Sequence, residues 1–197
     1  MKKLTTQEMH RLTPEAFHQT EKLPLVVVLD NVRSQHNVGA VFRTADAFLL
    51  EGVYLCGICC CPPNAEIHKT ALGAEETVDW QHFDNTLEAV EALHQKGYCV
   101  YAIEQAHDSI TLEQAKSDVL NRLRHTAESM PKKGIAVVLG HEVFGVRQEV
   151  VDACEACIEI PQYGTKHSLN VSVTAGIVMY ELSTVLQKGG AETMVLR

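Results

Sequence analysis

What this sequence lacks narrows its class before any motif is read. Its 197 residues contain no apolar run of roughly 18 residues and no basic-then-apolar leader, so no membrane span is expected and the expected compartment is the cytoplasm. Neither G-x-x-x-x-G-K-[S/T] nor G-x-G-x-x-G occurs, which removes the standard P-loop and dinucleotide cradles. His141-Glu142 does not begin a zincin motif, because Gly145 stands where the second His is required. Positive charge is scarce: 17 Lys and Arg face 25 Asp and Glu, for a net charge of −8. Indiscriminate coating of nucleic acid depends on neutralising phosphates with Lys and Arg, so only a local basic patch is open to this chain.

Cysteine is present, but in an odd number, seven, and with no secretory signal the thiols are expected to be reduced. Cys56/Cys59 and Cys154/Cys157 form two C-x-x-C pairs. They lie much further apart than the halves of a closed zinc module usually do, and free Cys packs readily as a small hydrophobe. No metal is expected.

The rest of the composition, 46% hydrophobic and 21% charged, describes a globular protein. One domain of this length buries about 70% of the surface its unfolded chain exposes. Residues 1–23 are polar and read as an N-terminal arm, with Pro14 suited to the first turn of a short helix. Leu25 to Leu29 is a Val-rich apolar run, the pattern of a strand covered on both faces. After the polar stretch 30–36, Asn37 is expected to cap a helix whose apolar stripe is Val38, Val41, Phe42, Ala45, Phe48 and Leu49. Arg43 falls away from that stripe, among the small residues Gly39, Ala40 and Ala47, which would admit another backbone or a ligand.

Further along, Val53–Ile58, Tyr98–Ile103, Ile135–Leu139 and Cys157–Ile160 read as strands. Glu66–Leu72, closed by Gly73, and Leu87–Lys96, closed by Gly97, read as helices, with a shorter one over Val146–Ala153. Alternation of this kind implies parallel pairing with right-handed crossovers. Residues 107–133 are polar and end in a basic cluster of Arg122, Arg124, His125, Lys132 and Lys133, a solvated helix and loop or a basic surface. The last helix carries Val171, Ala175, Val178, Leu182 and Val185 at steps of four and three, with Val173, Ile177 and Tyr180 as a second stripe. It is expected to be buried on several sides, with Ser168 and Asn170 at its N-terminus available as caps or to a ligand.

Three strands, ending near Leu29, Leu139 and Ile160, run into loops rich in Gly, Asn, Glu or Ser. In open α/β sheets ligands bind beyond the carboxyl ends of strands, so these loops are the candidate site.

Together the loops carry a resemblance. N-V-G-A-V-F-R at Asn37–Arg43, V-V-L-G-H-E-V-F-G-V at Val137–Val146 and I-P-Q-Y-G-T-K-H-S-L-N-V-S-V-T at Ile160–Thr174 closely resemble the three motifs of the SpoU/TrmH family, the RNA 2′-O-ribose methyltransferases of the SPOUT superfamily. The likeness covers residues 24–187, and residues 24–197 are taken as the SPOUT domain. It implies a mainly parallel α/β sheet flanked by helices, with a C-terminal deep trefoil knot, a homodimer whose sites draw on two chains, and S-adenosylmethionine held by the knot loops. By residue match, Leu139, Gly140, Ile160, Ser168 and Leu169 surround the cofactor. Asn37, Arg43, Glu142, Ser168 and Asn170 form the catalytic centre.

Within that match Arg43 is expected to clamp phosphate or the forming alkoxide, since an Arg almost never gives up its proton. Glu142 is expected either to accept the ribose proton or to hold a loop. Asn37 and Ser168 are expected to orient the ribose, and Asn170 to fix the knot loop or Asn37. His141 departs from the Asn or Ser common beside that Glu. Lys166, His167, Arg33, His36 and Lys69 are candidate phosphate contacts, and tRNA and rRNA are both open as substrates. The resemblance leaves recognition to the SPOUT domain and its arms. A non-catalytic RNA-binding or ribosome-assembly factor is the competing reading, and retention of all five catalytic-centre residues argues for the enzyme.

Overall fold

The fold is seen in a computed structural model that describes residues 1–5, 7–123 and 133–189. Its centre is three strands: β1 (Leu23–Asp30), β6 (Gly134–Leu139) and β4 (Tyr98–Ile103). All of β4 and β6, and β1 from Leu25 onward, are buried. Continuous burial is possible because both faces are covered. Leu25, Val27 and Leu29 face one apolar layer with α2 (Gln35–Ala47), α3 (Ala65–Ala71), α6 (Leu112–Leu123) and α8 (Val171–Gly189). Val26 and Val28 face the other, with α5 (Thr86–Gln95) and α7 (Gln148–Asp152). Period-two alternation of side chains divides one Val-rich run between two cores.

The sheet is completed by β2 (Leu50–Cys56), β3 (Trp80–Phe83), β7 (Ala156–Glu159) and β5 (Ile110–Thr111), in the order β3-β2-β1-β6-β4-β7-β5, with every pairing parallel. The expected α/β class and parallel pairing are found. The edge strands β3 and β5 were not expected, because three of the four β3 residues are exposed and β5 has only two residues, so neither leaves an apolar run.

Several boundaries move for identifiable reasons. The second strand runs over Leu50–Cys56 rather than to Ile58, since Gly57 at φ +61° turns the chain first. Asn64 caps α3, and Leu72 is itself its left-handed terminus, so Gly73 opens the one-turn helix α4 (Ala74–Thr77) instead of closing α3. Asn37 is not a cap: α2 begins at Gln35, and the Ser34 hydroxyl accepts the Asn37 N–H at 3.3 Å. Near the N-terminus α1 (Pro14–Gln19) starts at Pro14 as expected and buries Phe17 in the core.

The largest correction concerns α8. Ala175, Val178, Leu182 and Val185 are buried as the first stripe predicts, but Val173, Ile177 and Tyr180 are 52%, 37% and 55% exposed. One face of the helix covers the core, and the other is an apolar strip at the surface. Among the described residues no helix is long and apolar enough to cross a membrane. Arg124, His125 and Lys132 of the basic cluster lie outside the described residues; within them, Arg122 pairs with Asp118 and Lys133 with Glu51.

Candidate active site

Beyond the carboxyl ends of the neighbouring strands β6, β4 and β7 lies a cavity of about 680 Å³. Ile103, Leu139, Ile158, Ile160 and Leu169 give it an apolar wall, and Glu104, Gln105, Glu142, His167, Ser168 and Asn170 a polar one. All five residues matched to the cofactor, Leu139, Gly140, Ile160, Ser168 and Leu169, line it. At Gly140 a Cβ would collide with the backbone of Gly145 and Val146, so glycine is what lets the loop after β6 fold back over its own start.

The three motif loops are joined by one hydrogen-bond relay. Asn170 caps α8, its Oδ1 accepting the N–H groups of Ser172 and Val173 at 2.9 and 3.3 Å. Its Nδ2 donates to Asn37 Oδ1 at 3.2 Å, and Asn37 Nδ2 donates to Glu142 Oε1, also at 3.2 Å. The relay ends on a carboxylate that also accepts the N–H groups of Ser34 at 2.9 Å and Arg33 at 3.1 Å. Its direction is dictated at both ends: a helix N-terminus offers only donors and a carboxylate only acceptors, so each amide has one workable orientation.

These bonds set the electrostatics of Glu142. Burial pushes its carboxyl up, and the backbone N–H groups of Arg33, Ser34 and Glu142 itself, with the Asn37 amide, more than offset this and hold it below the ordinary value. A carboxylate stabilised in this way is a weak proton acceptor and an effective tie between loops.

The remaining expected residues separate. Ser168 lines the cavity and is exposed, and the cap it was expected to share falls to Asn170. Arg43 is exposed on α2 and has no hydrogen-bond or ion-pair partner among the described residues. It is not among the residues lining the cavity, and six residues of helix place it about 9 Å along the axis from Asn37. The small residue Gly39 on the same helix is taken up by α3: a Cβ there would meet Thr70 Oγ1 and the Ile67 carbonyl. Lys166 and His167 are exposed on the loop after β7, and Arg33 beside the Glu142 tie. His36 and Lys69 both pair with Glu66.

The contribution of β4 was missed. Ile103, Glu104 and Gln105 line the cavity. Glu104 accepts the Val146 N–H at 3.1 Å, and Gln105 Nε2 donates to the His167 carbonyl at 2.8 Å, so the end of β4 holds both neighbouring loops. The strand-end rule applied to all the buried strands would have found them. The C-x-x-C cysteines are free thiols. Cys59 works on the first loop, accepting the Val32 N–H at 3.1 Å and donating to the Leu29 carbonyl at 3.2 Å.

Comparison with known proteins agrees with this architecture. Residues 24–180 match the model of the SpoU rRNA Methylase family. The chain is 33% identical over 158 residues to the 23S rRNA (guanosine-2′-O-)-methyltransferase RlmB of Vibrio cholerae, covering 80% of this chain and 58% of that protein. It is 34% identical over 157 residues to the RlmB of Nitrosomonas europaea, covering 80% and 55%. It therefore spans a little over half the length of these curated relatives. Among solved structures, the A. aeolicus TrmH/SpoU tRNA modifying enzyme superposes with a TM-score of 0.71 at 26% identity, over 90% of this chain and 82% of that one. An AdoMet-bound rRNA methyltransferase from Sinorhizobium meliloti shares the fold, with a TM-score of 0.68 at 24% identity over 94% and 62%. The SpoU fold implies a trefoil knot in the C-terminal half, where the loops after β6 and β7 meet. With its three motif loops tied into one relay at the strand ends, the chain belongs to the SpoU methylase family.

Proposed function

We propose that this protein transfers a methyl group from S-adenosylmethionine to a ribose 2′-hydroxyl of tRNA or rRNA, acting as a homodimer through a SPOUT domain of residues 24–197. The observation that carries this reading is the Asn170–Asn37–Glu142 relay beside the cavity. It is a device for holding three loops in one arrangement, as a reaction between two positioned molecules requires.

The cavity suits the cofactor by its chemistry. Ile103, Leu139, Ile158, Ile160 and Leu169 offer an apolar wall to an adenine ring, and Glu104 adds a carboxylate to the lining, its oxygens accepting the Gln105 and Val146 N–H groups. Leu139, Gly140, Ile160, Ser168 and Leu169 would hold the group. When bound, S-adenosylmethionine supplies an electrophilic methyl on a sulfonium.

The protein's part is to present a poor nucleophile to that methyl. Ser168 orients the ribose from the cavity wall, and Asn37 and Asn170 set the loops. Glu142 is the tie that keeps them set rather than the base. Arg43, with no hydrogen-bond or ion-pair partner among the described residues, supplies its charge to a substrate phosphate or to the alkoxide as it forms.

Arg43 acts at the partner's cavity. The exposed strip Val173, Ile177 and Tyr180 gives a second copy an apolar face to cover. Arg43 stands on α2, which packs beside α8, with Phe48 and Tyr180 in ring contact at 6.0 Å.

The test incubates the purified protein with methyl-labelled S-adenosylmethionine and total RNA from cells lacking its gene, with Arg43→Ala alongside. Label in one RNA size class, recovered as an alkali-resistant dinucleotide and absent with the variant, is the expected result. Cofactor binding without transfer to any RNA would favour a non-catalytic RNA-binding or ribosome-assembly role instead.

A further inference from the structure

The loop after β6 ends in a tip that the methyl-transfer reading leaves unused. His141 and Gly145 form an antiparallel bridge, each N–H donating to the other's carbonyl, at 3.1 and 2.8 Å. Gly145 makes the turn at φ +67° and sits against the Glu104 carboxylate where a Cβ would collide. Inside the turn His141 Nδ1 accepts the Val143 N–H at 2.9 Å, with the Phe144 N–H at 3.4 Å. Glu142 points back to the Asn37 relay. Val143 and Phe144 point outward, 69% and 82% exposed.

A single exposed apolar side chain is ordinary. Phe144 differs because it is exposed and fixed at once. Its ring lies 4.9 Å from the His141 ring at an interplanar angle of 34°, and its backbone belongs to a turn closed by hydrogen bonds. It also lines the mouth of the cavity together with Glu142, Ser168 and Asn170. The result is a rigid, two-ring aromatic surface beside the place where the ribose must sit. With Nδ1 accepting, the neutral His141 ring carries its proton on Nε2, which leaves a donor at the edge of that surface.

We infer that the His141–Phe144 tip is a stacking platform for an unpaired nucleobase of the substrate RNA, next to the ribose that is methylated. This rests on the RNA reading above and adds to it the conformational class of the substrate. Every base has a π-face, so an exposed aromatic receives any base once it is out of a duplex. Paired bases have both faces occupied and cannot use the tip. Charge supports an RNA occupant: Lys166 is exposed on the loop after β7 and Arg33 beside the Glu142 tie, two cations near the site in a chain whose net charge is −8. Tyr163, 95% exposed, is a further ring on the same loop as Lys166.

The test compares wild type, Phe144→Ala and Phe144→Trp. Fluorescence anisotropy is read on a short labelled single-stranded RNA of mixed sequence and on the same RNA annealed to its complement. S-adenosylmethionine affinity is read by calorimetry and oligomeric state by sedimentation. Loss of one base stack corresponds to about 5- to 150-fold in Kd. Phe144→Ala is expected to weaken single-strand binding by a factor in that range. Duplex binding, cofactor affinity and sedimentation stay unchanged, and Phe144→Trp keeps wild-type affinity.

Equal weakening for single strand and duplex would overturn the inference, as would no weakening at all. Dissociation into monomers would overturn it too, by showing that a second copy of the chain covers Phe144. Wild-type protein that binds RNA in the expected manner but no S-adenosylmethionine would sink the methyl-transfer reading and leave the platform standing. Wild-type protein that binds neither RNA would sink both.

Discussion

Asn170 and Asn37, 133 residues apart in sequence, meet through a single hydrogen bond of 3.2 Å from the Asn170 amide to the Asn37 carbonyl oxygen. That bond couples the N-terminus of α8 to the loop held by Glu142. Removing the Asn37 side chain leaves Asn170 without its acceptor and Glu142 without one donor. Asn37→Ala should cost about 1 to 2 kcal/mol and lower Tm by on the order of 5 °C. A double-mutant cycle with Asn170→Ala, followed by thermal unfolding, should be non-additive by about 0.5 kcal/mol or more. Strictly additive losses would mean that the two amides do not act together.

Arg43 should matter for transfer and not for cofactor binding, because it is not among the residues lining the cavity of its own chain. Replacing it with Ala should lower the rate by about 10²- to 10³-fold, the scale for losing one group that stabilises developing charge. S-adenosylmethionine affinity should be unchanged. Mixed dimers give the sharper measurement. If Arg43 acts on the partner's cavity, a dimer of one Arg43→Ala chain and one Asn170→Ala chain concentrates both lesions in one site and leaves the other intact. Activity should then reappear on mixing two inactive variants. Its continued absence would place Arg43 with the cavity of its own chain.

Glu142 predicts a pH dependence. Burial pushes its carboxyl up, and the N–H donors around it outweigh burial and hold it below the ordinary 4.5. A depressed carboxyl contributes stability that is present above its unfolded pKa and lost as pH falls through its folded value. The Tm advantage of wild type over Glu142→Gln should therefore be constant from neutral pH down to about 5 and close progressively in more acidic buffer. An advantage that persists unchanged into strong acid would contradict the charged tie.

The thiols of Cys56 and Cys59, which are buried, and of Cys154, which is half-buried, should be inert. Burial pushes Cys56, Cys59 and Cys154 up to about 12, so at pH 8 the reactive thiolate is on the order of one part in ten thousand. Mass spectrometry after brief iodoacetamide treatment of the native protein should find these three unmodified, and all of them alkylated after denaturation. Rapid native labelling at Cys59 would show that the loop over Leu29 and Val32 opens.

The strip on α8 should be the surface that holds two copies together. Ile177→Asp and Tyr180→Asp put a charge on a face that is already solvent-accessible in one chain. The fold should survive, while sedimentation shifts to the monomer and transfer is lost with it. A dimer that persists in both variants would locate the interface elsewhere.

Much of this protein is legible along the chain, because burial on two faces and helical period leave local marks. The apolar runs at Leu25–Leu29, Tyr98–Ile103 and Ile135–Leu139 and the first stripe of α8 all lie where their patterns put them. The family resemblance pointed to Leu139, Gly140, Ile160, Ser168 and Leu169, and all five line the cavity. What escaped had no local mark. The edge strands β3 and β5 are short and poor in buried residues, and Glu104 and Gln105 follow an unremarkable apolar strand.

Periodicity alone also misjudged Val173, Ile177 and Tyr180, since an apolar stripe looks the same whether its own chain or another molecule covers it. Local pattern is enough to tell which residues are apolar, which loops are polar and which family the motifs resemble. Long-range contacts were needed to show that Asn37 is a link rather than a cap, that Glu142 is a tie, and that Arg43 is exposed and not among the residues lining its own cavity. The physical reason is that those roles are set by hydrogen bonds and contacts among loops more than a hundred residues apart in sequence, brought together by the order of strands in one parallel sheet.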